Sequence, residues 1–98
     1  GIIMDPPSYG RGPRGEMWKI EDELYGLIEL CMEVLAPRPL FFLINSYTTG
    51  LAPSVLKNLL RMTVEKKYGG KACSDEVGLP VSRSGLFLPC GSSGRWER

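Results

Sequence analysis

The chain opens with a short apolar run that ends in a double proline. Ile2-Ile3-Met4 leads directly into Asp5-Pro6-Pro7-Ser8-Tyr9-Gly10, and the glycine-rich basic stretch Arg11–Gly15 follows. An apolar run with β-branched residues that is stopped by prolines and glycines predicts a buried strand with an abrupt end. In open α/β sheets the ligand crevice lies beyond the carboxyl ends of the strands. We therefore expect Asp5 to stand at the functional edge of an α/β sheet.

A helix and a second strand are predicted next. Apolar residues recur at intervals of three and four over residues 17–35, and acidic residues fill the first turns, which predicts a helix that ends before Pro37. Leu40–Asn45 is an almost continuous apolar run, which is typical of a strand covered on both faces. A strand-helix-strand connection of this length implies parallel pairing. Asp5 and Asn45 should therefore lie on the same edge of the sheet, with the polar loop Asn45–Gly50 beside them.

The remaining residues predict one more helix and a pair of strands. Pro53–Lys67 has a proline in its first turn and apolar residues on one face. Its basic outer side fits a solvated surface, with a nucleic-acid surface as the alternative. Lys71–Val77 and Leu86–Pro89 have the composition of strands, and the link between them is too short for a crossover helix. These two strands should pair antiparallel. Residues 90–96 fit either an extension of the last strand or a loose tail.

Composition excludes several classes of protein. The 98 residues contain no histidine and three cysteines, Cys31, Cys73 and Cys90, which never occur as Cys-x-x-Cys. Histidine-based catalysis is excluded, a metal site or a disulfide framework is disfavoured, and a reducing cytoplasm is the expected compartment. No apolar run approaches the roughly 20 residues that a membrane span needs. The formal net charge of +1 gives no general indication of nucleic-acid binding.

The order of these elements and two of their motifs resemble a known family. An apolar strand ending in Asp-Pro-Pro-x-aromatic, followed by helix, strand, helix and an antiparallel pair, resembles the second half of class I S-adenosylmethionine-dependent methyltransferases. Ile2–Tyr9 resembles the motif after the fourth strand of that fold, and Leu43–Leu51 resembles the segment after the fifth. Within that family, the sequence resembles the bacterial 23S ribosomal RNA methyltransferases. The resemblance implies an α/β fold with parallel strands, two helices and a terminal antiparallel strand pair.

The resemblance also implies roles for individual residues. The catalytic motif would be Asp5, Pro6, Pro7 and Tyr9, in which the Asp5 carboxylate and the Pro6 carbonyl hold a target amino group. Asp5 and Pro6 would also be the residues that contact the cofactor, S-adenosylmethionine. The implied substrate-binding residues are Tyr9, Arg11, Asn45, Tyr47 and Thr48, with RNA as the partner. Relatives that methylate carbon 5 of cytosine carry a cysteine near the position of Thr48, so that reaction is disfavoured. On the motif alone, Pro6-Pro7 also fits a simple strand end with Tyr9 packed on the sheet.

The cofactor-binding motifs of this family do not occur in the sequence. Its Gly-x-Gly-x-Gly loop, which follows the first strand in the family, is absent from these 98 residues. Residues 1–98 are therefore expected to be the C-terminal part of a catalytic domain, with an exposed sheet edge that a missing N-terminal half or a second copy would cover. The alternative hypothesis is a non-catalytic Rossmann-like assembly or interaction module that binds no cofactor by itself.

Overall fold

The structure, a computed structural model, describes residues 1–48 and 50–98. Thr49, which belongs to the predicted loop Asn45–Gly50, lies outside the described residues. The first half contains strands β1 (Ile2–Met4), β2 (Tyr9–Arg11) and β3 (Met17–Lys19), helix α1 (Ile20–Met32) and strand β4 (Phe41–Ser46). The second half contains helix α2 (Pro53–Leu60), a π-helical segment (Arg61–Glu65), the helical turn α3 (Lys66–Tyr68) and strands β5 (Lys71–Pro80) and β6 (Phe87–Glu97).

The main sheet has four strands in the order β1-β4-β6-β5. β1 and β4 are parallel, with Met4 beside Ile44, as the sequence predicts. β6 is antiparallel to both β4 and β5, so the predicted antiparallel pairing of the last two strands is confirmed. Among the described strands of this sheet, the parallel arrangement is limited to the β1–β4 pair. The prediction of a sheet of parallel strands is therefore confirmed only in part.

The last strand is longer than expected and lies inside the sheet. Residues 90–96 prolong β6 and do not form a loose tail. This extension pairs with β4 along residues 92–97, which places β6 between β4 and β5. The carboxyl end of β4 therefore has β1 on one side and β6 on the other, and both contribute residues to that edge.

The hydrophobic core lies between one face of the sheet and the two long helices. Phe42, Ile44, Ala72 and Trp96 form the sheet side of the core. The helix side of the core consists of Ile20, Leu24, Ile28, Leu56, Leu60 and Val64. The opposite face of the sheet leaves Ile3 67% and Phe41 38% exposed. The prediction that β4 is covered on both faces is wrong, because the helices cover only the face of Phe42 and Ile44.

The first helix begins later than its apolar spacing predicts. Met17–Lys19 is not helical, because it pairs antiparallel with Tyr9–Arg11 in a small hairpin. A turn closes this hairpin, in which the Gly12 amide donates to the Glu16 carbonyl over 2.8 Å. Helix α1 then ends at Met32, before the predicted limit at Leu35.

The second helix runs without a break from α2 through the π-helical segment to α3. It spans Pro53–Tyr68, close to the predicted Pro53–Lys67, and Gly69 ends it with a positive φ of 74°. Within the π-helical segment, the Thr63 hydroxyl donates to the Leu59 carbonyl over 2.7 Å. No helix in the described part of the chain is long and apolar enough to cross a membrane.

Candidate functional site

Asp5 and Asn45 lie side by side at the carboxyl ends of two adjacent parallel strands. Because Met4 is the register partner of Ile44, the next residue of each strand reaches the same edge of the sheet. Both side chains line one small cleft of about 160 Å³, which Tyr47 also borders. Asp5 is exposed, whereas Pro6 directly after it is buried. The strand end thus presents a carboxylate to solvent on an anchored backbone.

The small hairpin fixes the loop that carries the double proline. The indole N–H of Trp18 donates to the Pro7 carbonyl over 2.6 Å, and the Ile20 amide donates to the Ser8 carbonyl over 3.2 Å. The short hydrogen bond from Trp18 satisfies a main-chain acceptor in a segment whose two prolines have no N–H to donate. The main chain of Asp5–Ser8 is therefore held from the side of β3.

A second contact joins this loop to the loop that follows β4. The Ser8 and Thr48 hydroxyl groups are 2.6 Å apart, across 40 residues of sequence. The Thr48 amide also donates to the Ser46 hydroxyl over 3.2 Å. The two loops that leave the parallel strands are thus coupled, and a shift of one would strain the other. The Thr48 hydroxyl takes part in this structural contact.

Tyr9 and Arg11 border clefts other than the one that Asp5 lines. Tyr9 is on β2 and 51% exposed, and it borders a cleft of about 410 Å³ together with Thr48. The Arg11 guanidinium donates from Nε to the Tyr9 hydroxyl over 3.0 Å. Arg11 itself lines a separate depression that includes Trp18. The structure therefore groups the predicted substrate residues into one set around Asp5 and another along β2.

Tyr47 connects the Asp5 cleft with a larger neighbouring cleft. This second cleft, of about 490 Å³, lies between the loop after β4 and the β5–β6 pair. Glu76, Cys90 and Ser92 contribute to its wall, and the Ser92 hydroxyl donates to the Leu51 carbonyl over 3.2 Å. Sequence analysis did not identify these three residues, because they reach the site only through the insertion of β6 beside β4. A local signal for that insertion is absent from the sequence, since residues 91–94 are glycine and serine.

A cofactor such as S-adenosylmethionine could contact Asp5 and the backbone around Pro6 at this edge of the sheet. Asp5 is exposed at the strand end, and the hydrogen bond from Trp18 to the Pro7 carbonyl holds the backbone around Pro6 in place. The Gly-x-Gly-x-Gly loop, which would contact the rest of the cofactor, does not occur in the sequence. The described site could thus contact the reacting end of a cofactor and the group that accepts the methyl.

One solved structure shares this fold over nearly the whole chain. The crystal structure of the SAM-dependent methyltransferase from Agrobacterium tumefaciens matches with a TM-score of 0.82 and 28% sequence identity. The match covers 97% of this chain and 32% of that protein, so the chain spans about a third of the length of this solved relative. A scan against protein-family models and a search of curated proteins find no match. The chain therefore has the fold of part of a SAM-dependent methyltransferase.

Proposed function

We propose that this chain is the C-terminal, acceptor-binding part of a catalytic domain that transfers a methyl group from S-adenosylmethionine to nucleic acid, with ribosomal RNA as the substrate class. The observation that carries the proposal is the position of Asp5 beside Asn45, at the ends of two parallel strands. The fold match supports methyl transfer in general, because the Agrobacterium tumefaciens protein is a SAM-dependent methyltransferase. The cytoplasm is the compartment that fits this substrate.

The chemistry assigned to this chain is the positioning of an amino group. The Asp5 carboxylate and the Pro6 carbonyl are both acceptors, so they suit the N–H groups of an exocyclic amine and would direct its lone pair toward the methyl group. When bound, S-adenosylmethionine supplies the activated methyl group. Fixed orientation of the two reactants then provides much of the rate enhancement. The hydrogen bond from Trp18 to the Pro7 carbonyl keeps the acceptor loop in one conformation.

The Thr48 hydroxyl is hydrogen-bonded to Ser8, and this supports an amine as the methyl acceptor. Carbon-5 methylation of a pyrimidine requires a nucleophile, and a serine or threonine hydroxyl needs a base to activate it. The Thr48 hydroxyl instead lies 2.6 Å from that of Ser8, and the chain contains no histidine. A nitrogen acceptor needs no covalent intermediate with the protein, so it agrees with the residues at this edge.

Isothermal titration calorimetry of S-adenosylmethionine and of S-adenosylhomocysteine into this chain tests the proposal. We expect saturable binding that Asp5→Ala weakens by about tenfold, because a hydrogen bond to a charged group contributes about 1.5–3 kcal/mol. Asp22→Ala, which removes an exposed carboxylate from α1, is the matched control and should bind as the wild type does. Lack of binding by the folded wild type, or equal binding by Asp5→Ala, would contradict the cofactor contacts assigned to Asp5 and Pro6.

A further inference from the structure

The hairpin formed by β5 and β6 extends beyond the sheet as an uncovered arm. We use the term hairpin arm for residues 77–89, which continue the β5–β6 ladder past the last residue of β4. At the base of the arm the register shifts between Val77 and Gly78, so that Cys90 has no partner on β5. A bulge of this kind bends a strand and increases its twist. We therefore expect the arm to bend away from the plane of the sheet that carries the core.

One face of the hairpin arm is entirely aliphatic. Val77 and Leu79 alternate along β5, and Leu79 pairs with Leu88 across the ladder. The Val81 amide donates to the Leu86 carbonyl over 2.8 Å, which continues the same ladder toward the tip. Since directly paired residues share a face, five side chains lie together. Their exposed fractions are 42% for Val77, 59% for Leu79, 40% for Val81, 69% for Leu86 and 54% for Leu88.

The apolar area of this face is larger than single, scattered apolar residues on a protein surface would produce. The five side chains expose roughly 500 Å² of apolar surface, near the upper end of what monomeric proteins leave open. An isolated two-stranded hairpin is also marginally stable in water. Two such faces packed together would bury about 1,000 Å², which is close to the lower limit of specific protein interfaces. The surface thus suits a weak, reversible association.

The charges at the two ends of the arm are complementary to each other. Arg83 at the tip is the only charged residue within positions 77–89, and Asp75 and Glu76 immediately precede the arm. Asp75, Glu76 and Arg83 are all exposed. Leu79 stands midway in sequence between Asp75 and Arg83, near the centre of the aliphatic face. A two-fold axis through Leu79 would bring the tip of one arm to the base of another, with opposite charges together at both ends.

Pro80 favours packing of the faces over pairing of the strand edges. Because the Val81 amide points toward β6, the backbone of residue 80 points toward the outer edge of β5. Proline has no N–H, so this edge lacks a donor at the middle of the arm. On the opposite face, the Phe87 ring lies so close to Gly78 that a Cβ there would clash with it. Phe87 is itself 50% exposed, so both faces of the arm are open, and the aliphatic face carries the larger set of exposed apolar side chains.

We propose that the hairpin arm is a self-association surface, on which the aliphatic faces of two copies of this chain pack antiparallel about a two-fold axis near Leu79. Closed two-fold pairing is the commonest form of self-association and needs only one self-complementary surface. The arrangement buries Leu79 and Leu88 and places Arg83 beside Asp75 of the other copy. This inference does not depend on the proposed methyl transfer.

Sedimentation equilibrium of the whole chain over a range of concentrations tests this surface. We expect a reversible monomer–dimer equilibrium in the wild type. The double variant Leu79→Ser/Leu88→Ser should weaken dimerisation by about tenfold or more, because it removes buried apolar area from both copies. Val34→Ser, which changes an apolar residue outside the arm that is even more exposed (79%), is the control and should leave the equilibrium unchanged. Circular dichroism checks that each variant is folded.

A charge exchange tests the orientation of the two copies without altering the apolar face. Arg83→Glu alone should weaken the dimer, and adding Asp75→Arg should restore it, since the exchanged charges would again be opposite across the two-fold axis. A monomeric wild type at all concentrations would overturn the proposal. A dimer that the Leu79→Ser/Leu88→Ser variant leaves unchanged, or a charge exchange without recovery, would overturn it as well.

Discussion

Tyr47 stands at the point where the two clefts of the candidate site meet. It is 61% exposed and follows directly after β4, beside Asn45 and Asp5. An aromatic side chain in this position offers a flat face to a base that leaves its stack. The structure therefore makes Tyr47 a stronger candidate for base stacking than Tyr9, which borders a different cleft.

Replacement of Tyr47 provides a test of nucleic-acid binding at the residue scale. Tyr47→Ala should reduce the affinity for a fluorescein-labelled single-stranded RNA by about tenfold, because stacking of one base on an aromatic ring contributes about 1–3 kcal/mol. Fluorescence anisotropy measures this affinity. Tyr25→Ala removes a 41% exposed tyrosine from α1 and should bind as the wild type does. Equal affinity of the Tyr47→Ala and Tyr25→Ala variants would contradict a stacking role for Tyr47.

The positions of Asp5 and Asn45 could be predicted from sequence, whereas the contacts around them could not. Each follows an apolar run, and parallel pairing alone brings the two strand ends together. The contact between Ser8 and Thr48 spans 40 residues, and it depends on the side-chain rotamers of two small polar residues. The bond from Trp18 to Pro7 likewise requires a hairpin that the helical spacing after Met17 obscures.

At the scale of elements, the π-helical segment secures the edge strand of the sheet. Among the strands that the structure describes, β5 pairs with β6 alone. The Ala72 amide near its start donates to Oε2 of Glu65 over 2.8 Å, and Ala72 is 3% exposed. Glu65 also lies 3.6 Å from Arg61, but the Arg61 side chain is 60% exposed and this ion pair contributes little. The bond to Ala72 is therefore the main structural role of Glu65.

Two substitutions at Glu65 separate the hydrogen bond from the charge. Glu65→Ala leaves a buried amide without its acceptor, which should lower the free energy of unfolding by about 1–3 kcal/mol. Glu65→Gln keeps an oxygen acceptor and should stay within about 1 kcal/mol of the wild type. Urea unfolding followed by circular dichroism measures both. A Glu65→Gln variant as unstable as Glu65→Ala would show that the charge, and not the bond to Ala72, is responsible.

The elements that the sequence predicts well are those with strong local periodicity. Helices α1 and α2 and strands β1 and β4 have apolar spacing or continuous apolar runs, and their order limits the topology. The π-helical segment at Arg61–Glu65 has no comparable pattern. The glycine and serine residues of β6 at positions 91–94 disfavour a strand locally, so pairing with β4 and β5 on both sides determines that segment.

At the scale of the whole molecule, Trp96 joins the sheet to the second helix. It is fully buried on β6, between Phe42 of β4 and Ala72 of β5. Its indole N–H donates to the Gly69 carbonyl over 2.6 Å, and its ring lies 6.2 Å from that of Tyr68, centroid to centroid. The two helices cover only one face of the sheet, so this single apolar layer provides most of the core. The stability of the chain should therefore depend strongly on Trp96.

Removal of each tryptophan in turn tests this dependence. Trp96→Ala should lower the free energy of unfolding by about 3–5 kcal/mol, a large part of the roughly 5–15 kcal/mol typical of a domain. The melting temperature should fall by more than about 12 °C, since each kcal/mol corresponds to about 4–8 °C at this length. Trp96→Phe retains a ring but loses the hydrogen bond to the Gly69 carbonyl, so its free energy of unfolding should decrease by less.

Trp18→Ala, at a half-buried position outside the central core cluster, is the control and should have a smaller effect than Trp96→Ala. Differential scanning calorimetry measures all three variants, and equal losses for Trp18→Ala and Trp96→Ala would contradict a core centred on β6.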